Sequence, residues 1–477
     1  MPHGHPRPHF ERPAPAFAAA SGLLLVLCWA LGGVTEDSTR ADELLQLLAL
    51  PLLAWACWRL ARAPLTRPPL TRPRALALAA AAAIVLVPLW QLLPLPQGLG
   101  MAGATRQALA ADLASTGVTL VGVHASLWPQ ASERALWALL PPLALFLAAL
   151  GVPAPMRRRL LQLVLGLALA SAAFAFFQLS LADGSPLLLY PSGGRNFGGL
   201  FANRNHQGSA LAMAAVIAFA LFIDGRRRAR EDEGHRRHWL YAFLAVACVV
   251  MIPLADGTAA VLLVMTGLVV VALLMGALHR PGQRAGSGLL RLAGIALVVI
   301  VTVASALAWQ QVDEDRREFA TQSVRIGGQH APLGAGVGSF VPVYAQSREP
   351  VQVRREVINH AHNEYAQWWL EGGVPALLAL ACALGLFAWA GWQVLTRIGS
   401  RRLRVVAAPA WACLLVLLLH SLVDYPLRTS ALMATAGLLA GLLFATMAEA
   451  ARDIRRRPRE APEAAPQPAA SAASAAP

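Results

Sequence analysis

Long uncharged apolar runs constrain this chain more than any other feature. Stretches such as "ALALAAAAAIVLVPLWQLL" (75–93) and "TAAVLLVMTGLVVVALLMGAL" (258–278) reach the roughly 20 residues that a helix needs to cross a bilayer. Inside hydrocarbon the backbone must satisfy its own hydrogen bonds, so such runs read as spanning helices. Hydropathy predicts twelve, near 17–34, 43–62, 75–95, 135–152, 160–182, 206–223, 239–255, 258–278, 289–309, 372–395, 405–423 and 429–448. Only 14% of the residues are charged, against about one quarter in a soluble protein. The expected class is an all-α polytopic membrane protein.

The net charge of +14 suggests nucleic acid until positions are compared. All 40 basic residues are Arg, and 28 of them fall at or between span ends on one set of alternate connections, both termini included. The positive-inside rule makes that set cytoplasmic, so the charge is a topology signal and no nucleic acid is expected. The five cysteines, Cys28, Cys57, Cys248, Cys382 and Cys413, lie in apolar runs with no disulfide or metal spacing. The first run is followed by many others, which reads as a retained anchor helix. The predicted organisation is a cytoplasmic N-terminus (1–16), spans 1–5 (17–189) with an outer loop at 96–134, and spans 6–9 (190–309). A large outer loop (310–371), spans 10–12 (372–448) and a cytoplasmic tail (449–477), Arg-rich and then Ala/Pro-rich and disordered, complete it.

Polar residues gather on the outer set. "GRNFGGLFANRNHQGS" (194–209) holds Arg195, Arg204, His206, Asn203 and Asn205. "INHAHNEYAQWWLEGG" (358–373) follows the long loop with Arg316 and Arg317, and "HSLVDYPLRT" (420–429) holds His420, Asp424 and Arg428. One outer-face site built from all three is the expectation. A helix over 361–371 would align His362, Tyr365 and Trp369 on one face, while His360 would be a surface imidazole. The aromatics read equally well as an interfacial belt, and Arg428 as a snorkelling side chain.

These segments resemble the O-antigen ligase and polymerase superfamily of bacterial membrane glycosyltransferases. The resemblance rests on "FANRNHQGSALAMA" (201–214), "PLGAGVGSF" (332–340), "HAHNEYAQWWLEGGVPALL" (360–378) and "HSLVDYPLR" (420–428). The His-Asn pair and following Gly of the ligase signature fall on His362, Asn363 and Gly373. The turn "ADGTAAV" (255–261) lacks the Arg that relatives commonly carry there, and Ala376 stands where a small residue or Tyr is often found.

The resemblance implies transfer of a glycan from an undecaprenyl (polyprenyl) diphosphate carrier to an acceptor hydroxyl, at the outer face of the bacterial inner membrane. Arg suits the leaving diphosphate by permanently charged, bidentate hydrogen bonding, and Arg316, Arg317 and Arg204 are the candidates. An imidazole suits proton removal near neutral pH, and His362 is the candidate. Asn203, Asn205, His206, Asn363, Tyr365, Gly373, His420, Asp424 and Arg428 are expected to support them. No metal or cofactor is implied, since no Asp-rich cluster appears. The partners are the lipid-linked donor, a lipid-linked core or other hydroxyl acceptor, and membrane lipids. O-antigen ligase-like transfer is preferred. A polysaccharide polymerase or protein O-oligosaccharyltransferase stays open, as do a multispan transporter and an assembly scaffold.

Overall fold

The computed structural model describes residues 14–35, 39–62, 71–96, 98, 103–118, 123–190, 196–229, 237–255, 258–276, 314–347 and 357–456, with isolated positions between 292 and 310. Among them, nine helices are long and apolar enough to cross a membrane, and two shorter apolar helices cover Pro15–Leu31 and Ala259–Leu274. These eleven correspond to eleven of the twelve predicted runs. The 289–309 run and the tail beyond 456 lie outside the fully described residues.

In chain order the apolar helices are α1 (Ala14–Leu31), α2 (Arg40–Ala61) and α3 (Arg72–Gln91). After the short helix α4 (Ala104–Ser115), the fourth predicted run is built as α5 (Pro129–Ala138) and α6 (Leu140–Gly151). Pro141 and Pro142 follow the break at once, and proline, lacking an N–H, fits the first turn of a new helix. Then come α7 (Ala154–Leu179), α8 (Arg204–Ala229), α9 (His238–Met251) and α10 (Thr258–Leu274). The short helices α11 (Glu314–Gln329) and α12 (Phe340–Ser347) precede α13 (Glu364–Thr396), α14 (Arg401–His420) and α15 (Ser430–Arg456).

Three helices form the centre: α8, α14 and α15 are buried over most of their apolar length, whereas only 22% of the apolar stretch of α2, α3, α9 and α13 is buried. Small residues make this approach possible. Gly437 and Gly441, one turn apart on α15, face the α6 backbone at Pro142 and Phe146, where a Cβ would overlap a carbonyl oxygen. Spanning helices commonly pack through such small-residue pairs.

At one end of the bundle the two long connections form a cap. β1 (Pro94–Leu95) pairs antiparallel with β2 (Val123–His124). The buried Arg106 of α4 donates to the carbonyls of His124, Ala125 and Gly334, tying one connection to the other. Phe319, Ile326, Phe340, Tyr344 and Leu370 give the cap its own small core.

Candidate functional site

The loop from α14 into α15 carries Asp424, fully buried at the cap end of the bundle. A carboxylate there is tolerable only if donors surround it, and four sequence segments supply them. Asn205 Nδ2 donates to Oδ2 at 2.7 Å, and Asn203 Nδ2 lies 3.3 and 3.4 Å from the two oxygens. Arg316 Nη1, from α11, donates to Oδ2 and to the Val423 carbonyl, both at 3.3 Å. The Tyr425 backbone N–H donates to Oδ1 at 2.9 Å. His362 Nδ1 sits 3.4 Å from Oδ1, at ion-pair distance but not aligned as a hydrogen bond. His206 and His420 are each 3.9 Å away. Burial alone would raise the Asp424 carboxyl, but His362, Arg316 and His206 outweigh it and hold the group well below its ordinary value.

His362 does not begin a helix. Among the described residues it is the one non-glycine residue with positive φ, at 48°, a conformation that costs free energy and concentrates at functional sites. Asn363 follows as the N-cap of α13. Its Oδ1 accepts from the Ala366 N–H at 3.0 Å, and its Nδ2 donates to the Leu422 carbonyl at 2.9 Å. The cap therefore clips the His362 turn onto the Asp424 loop. Glu364 strengthens the clip, its Oε1 accepting from Leu427 N and Ser421 Oγ.

The aromatic face expected through Tyr365 and Trp369 does not form, because α13 starts only at Glu364. Tyr365 instead donates to Leu418 O of α14 and Trp369 to Val324 O of α11. The rings beside His362 are Phe319 and Tyr425, with centroids 6.0 and 4.9 Å away. Nor is His360 a surface imidazole. It is 1% exposed, lies against the Tyr425 ring at 4.2 Å and approaches Thr35 O at 3.3 Å. Burial, reinforced by Arg428 and His362, pushes it down to about 3.

Gly373 allows a second crossing. It is non-helical inside α13 (φ 59°, ψ −148°), and a Cβ there would overlap the Pro332 carbonyl oxygen of the glycine-rich turn. Val374 N donates to that oxygen at 2.9 Å. Arg428 turns from Asp424 to the buried Glu371, at 2.9 Å, and Gln367 links Glu371 to the His360 ring. Arg317 is exposed and donates to Gln310 O, while Arg204 is exposed on the first turn of α8. Arg195 lies outside the described residues.

Sequence reasoning did not single out Glu364, Gln367, Glu371, Gln91 or Tyr425. The signal was available for the acids: a Glu next to an apolar run must find a partner. Gln91, fully buried, donates to Leu333 O and Glu371 O and accepts from Val337 N, joining α3 to the glycine-rich turn. Among the described residues no three His, Cys, Asp or Glu side chains are arranged to hold a metal ion.

Beside this centre lies a largely apolar cavity of about 480 Å³ between α2, α3, α5, α6, α13, α14 and α15. Asp42, Arg134, Glu364 and Arg428 are its charged lining residues.

No curated protein matches the chain. A family model described as O-antigen ligase matches residues 197–381. That stretch contains Asn203, Asn205, Arg316 and His362 but ends before Asp424 and Arg428. Over residues 197–381 the chain carries a stretch similar to the O-antigen ligase family, which supports its placement in the O-antigen ligase superfamily.

Proposed function

We propose that this protein transfers a glycan from a polyprenyl diphosphate carrier to an acceptor hydroxyl, as an O-antigen ligase. The observation that carries the reading is the buried Asp424 carboxylate gathering His362, Arg316 and two Asn at the ends of membrane-spanning helices. With Nδ1 turned to an ionised carboxylate, His362 offers Nε2 to the acceptor hydroxyl and takes its proton as the oxygen attacks the anomeric carbon. The anomeric C–O bond to the carrier breaks, and the diphosphate leaves with the electron pair. Asp424 stabilises the imidazolium formed, and Asn203 and Asn205 keep the carboxylate in place.

The leaving diphosphate needs cations where its charge grows. Arg316, 27% exposed, and the outward-facing Arg204 and Arg317 fit that role. Arg428 lines the adjoining cavity, which is suited to the first isoprene units of the carrier. The Arg-poor connections that carry the centre support a site on the outer face of the inner membrane, where such a donor presents its sugar. A transporter needs ionisable groups near helix midpoints, whereas Asp424 follows the last residue of α14 and Asp224 lies in the last two turns of α8.

The test is deletion of the gene with gel analysis of surface polysaccharide, followed by complementation. Loss of attachment with intact polymer is expected for a ligase, and His362→Ala fails to restore it. Single repeat units would instead indicate a polymerase, and an unchanged glycan pattern overturns the reading.

A further inference from the structure

The opposite ends of the same helices hold a second buried carboxylate, which glycan transfer leaves unused. Asp224 of α8 is fully buried and lies about 30 Å along the helix from Arg204, at 1.5 Å per residue. Three guanidiniums converge on it. Arg158 Nη1 of α7 and Arg228 Nε, one turn further on α8, donate to Oδ2 at 2.9 and 3.1 Å. Arg401 Nε, at the head of α14, donates to Oδ1 at 2.9 Å, and its Nη2 to the Asp224 carbonyl at 2.9 Å. In the adjoining positions Arg157 and Arg402 share Glu449. Residues 226–237 hold six Arg, Arg228 among them, against three acids.

One Arg would suffice to neutralise Asp224, and a topology signal needs only Arg somewhere in the connection. Neither demand explains three guanidiniums from three helices fixed on one carboxylate. Such an array presents planar, permanently charged donors, a geometry that matches phosphate.

An apolar surface continues from the same place. His238 packs against Gly225, the neighbour of Asp224, and Gln162, one turn beyond Arg158, donates to Tyr241 Oη at 2.8 Å. Thus α7, α8 and α9 meet beside the cluster. From there Trp239, Phe243, Val246 and Val250 recur at helical spacing on α9, each 60–68% exposed. An amphipathic ring at the head of an apolar stripe sits at headgroup depth.

We propose that Arg158, Arg228 and Arg401 form a binding site for the phosphate headgroup of an anionic phospholipid whose acyl chains lie along the α9 stripe. Basic pockets between spanning helices take such headgroups by charge. The site stands apart from the transfer centre and does not depend on the reading of that centre.

Native mass spectrometry of the detergent-solubilised full chain tests it, with phosphatidylglycerol, phosphatidylcholine or soluble glycerophosphate added. Phosphatidylglycerol is expected to be retained over phosphatidylcholine. Arg228→Gln leaves Arg158 and Arg401 to hold Asp224, and is expected to cut phosphatidylglycerol retention about fivefold. Asp224→Asn removes the competing carboxylate and is expected to raise retention. Arg325→Gln, on α11 at the other end, is expected to leave it unchanged. Wild-type retention by Arg228→Gln, or an equal loss in Arg325→Gln, overturns the site. Displacement of the lipid by equimolar glycerophosphate overturns the role of the stripe.

Discussion

Replacing Asp424 by Asn isolates the electrostatic core of the proposed site, because volume is kept while the charge goes. Arg316, Asn203 and Asn205 all donate to this carboxylate. The new amide has one oxygen, so at least one of those donors would face another donor. Removing one partner of a buried ion pair costs about 3–5 kcal/mol. Arg316 is 27% exposed and water recovers part of that, which leaves about 1–3 kcal/mol, the usual cost of an unsatisfied buried group. Thermal unfolding of the purified protein reads this stability loss. Transfer in a deletion strain should fall by about 10²–10⁴ at normal protein level, the scale of lost general-base catalysis. The pH dependence gives a separate check. Since the folded-state carboxyl is depressed, its stabilisation is present above the ordinary carboxylate range, near about 3.9. It is lost as pH falls through the depressed value. The stability gap between wild type and Asn should therefore be flat from about pH 5 to 8 and close only below about pH 4. Full transfer by the Asn variant, or a gap that closes near neutrality, would refute an ionised Asp424 acting on His362.

The two neighbouring histidines are expected to separate by phenotype: His362→Ala abolishes transfer with little change in melting, whereas His360→Ala destabilises by about 1–3 kcal/mol through lost packing. Because burial holds His360 down to about 3, the unfolded chain takes up a proton that the native one refuses between there and about 6.5. Wild-type melting should therefore fall as pH drops through that window, and His360→Gln should flatten part of the slope. Gly373→Ala forces a Cβ into the Pro332 carbonyl at positive φ; strain of about 1–3 kcal/mol plus the overlap should appear as low membrane abundance on an immunoblot. Thr321→Cys in a cysteine-free background should label in intact cells with a membrane-impermeant maleimide, and labelling only after the inner membrane is opened would reverse the orientation.

The apolar runs determined the helices directly, because each spanning segment satisfies its backbone hydrogen bonds within itself. Eleven runs could be read without knowledge of their neighbours, and so could the polar segments of the site and the likeness to the O-antigen ligase family. Boundaries were less legible: α13 begins at Glu364, well before the apolar run at 372, because Asn363 caps it and the polar first turns are buried under the cap. The site itself belongs to the tertiary structure. Asn205 and Asp424 are 219 residues apart, and no local pattern states that they touch or that Asp424 rather than His362 is the meeting point. Nothing in "HAH" tells which histidine faces the carboxylate, since the choice depends on a single left-handed residue held by contacts from α14 and α11. The Asp224 cluster is also tertiary in origin, since its arginines come from three helices whose ends meet only in the packed bundle. Periodicity and hydropathy are local sums over neighbouring residues, whereas burial of a charge depends on which distant donors the packing delivers to it.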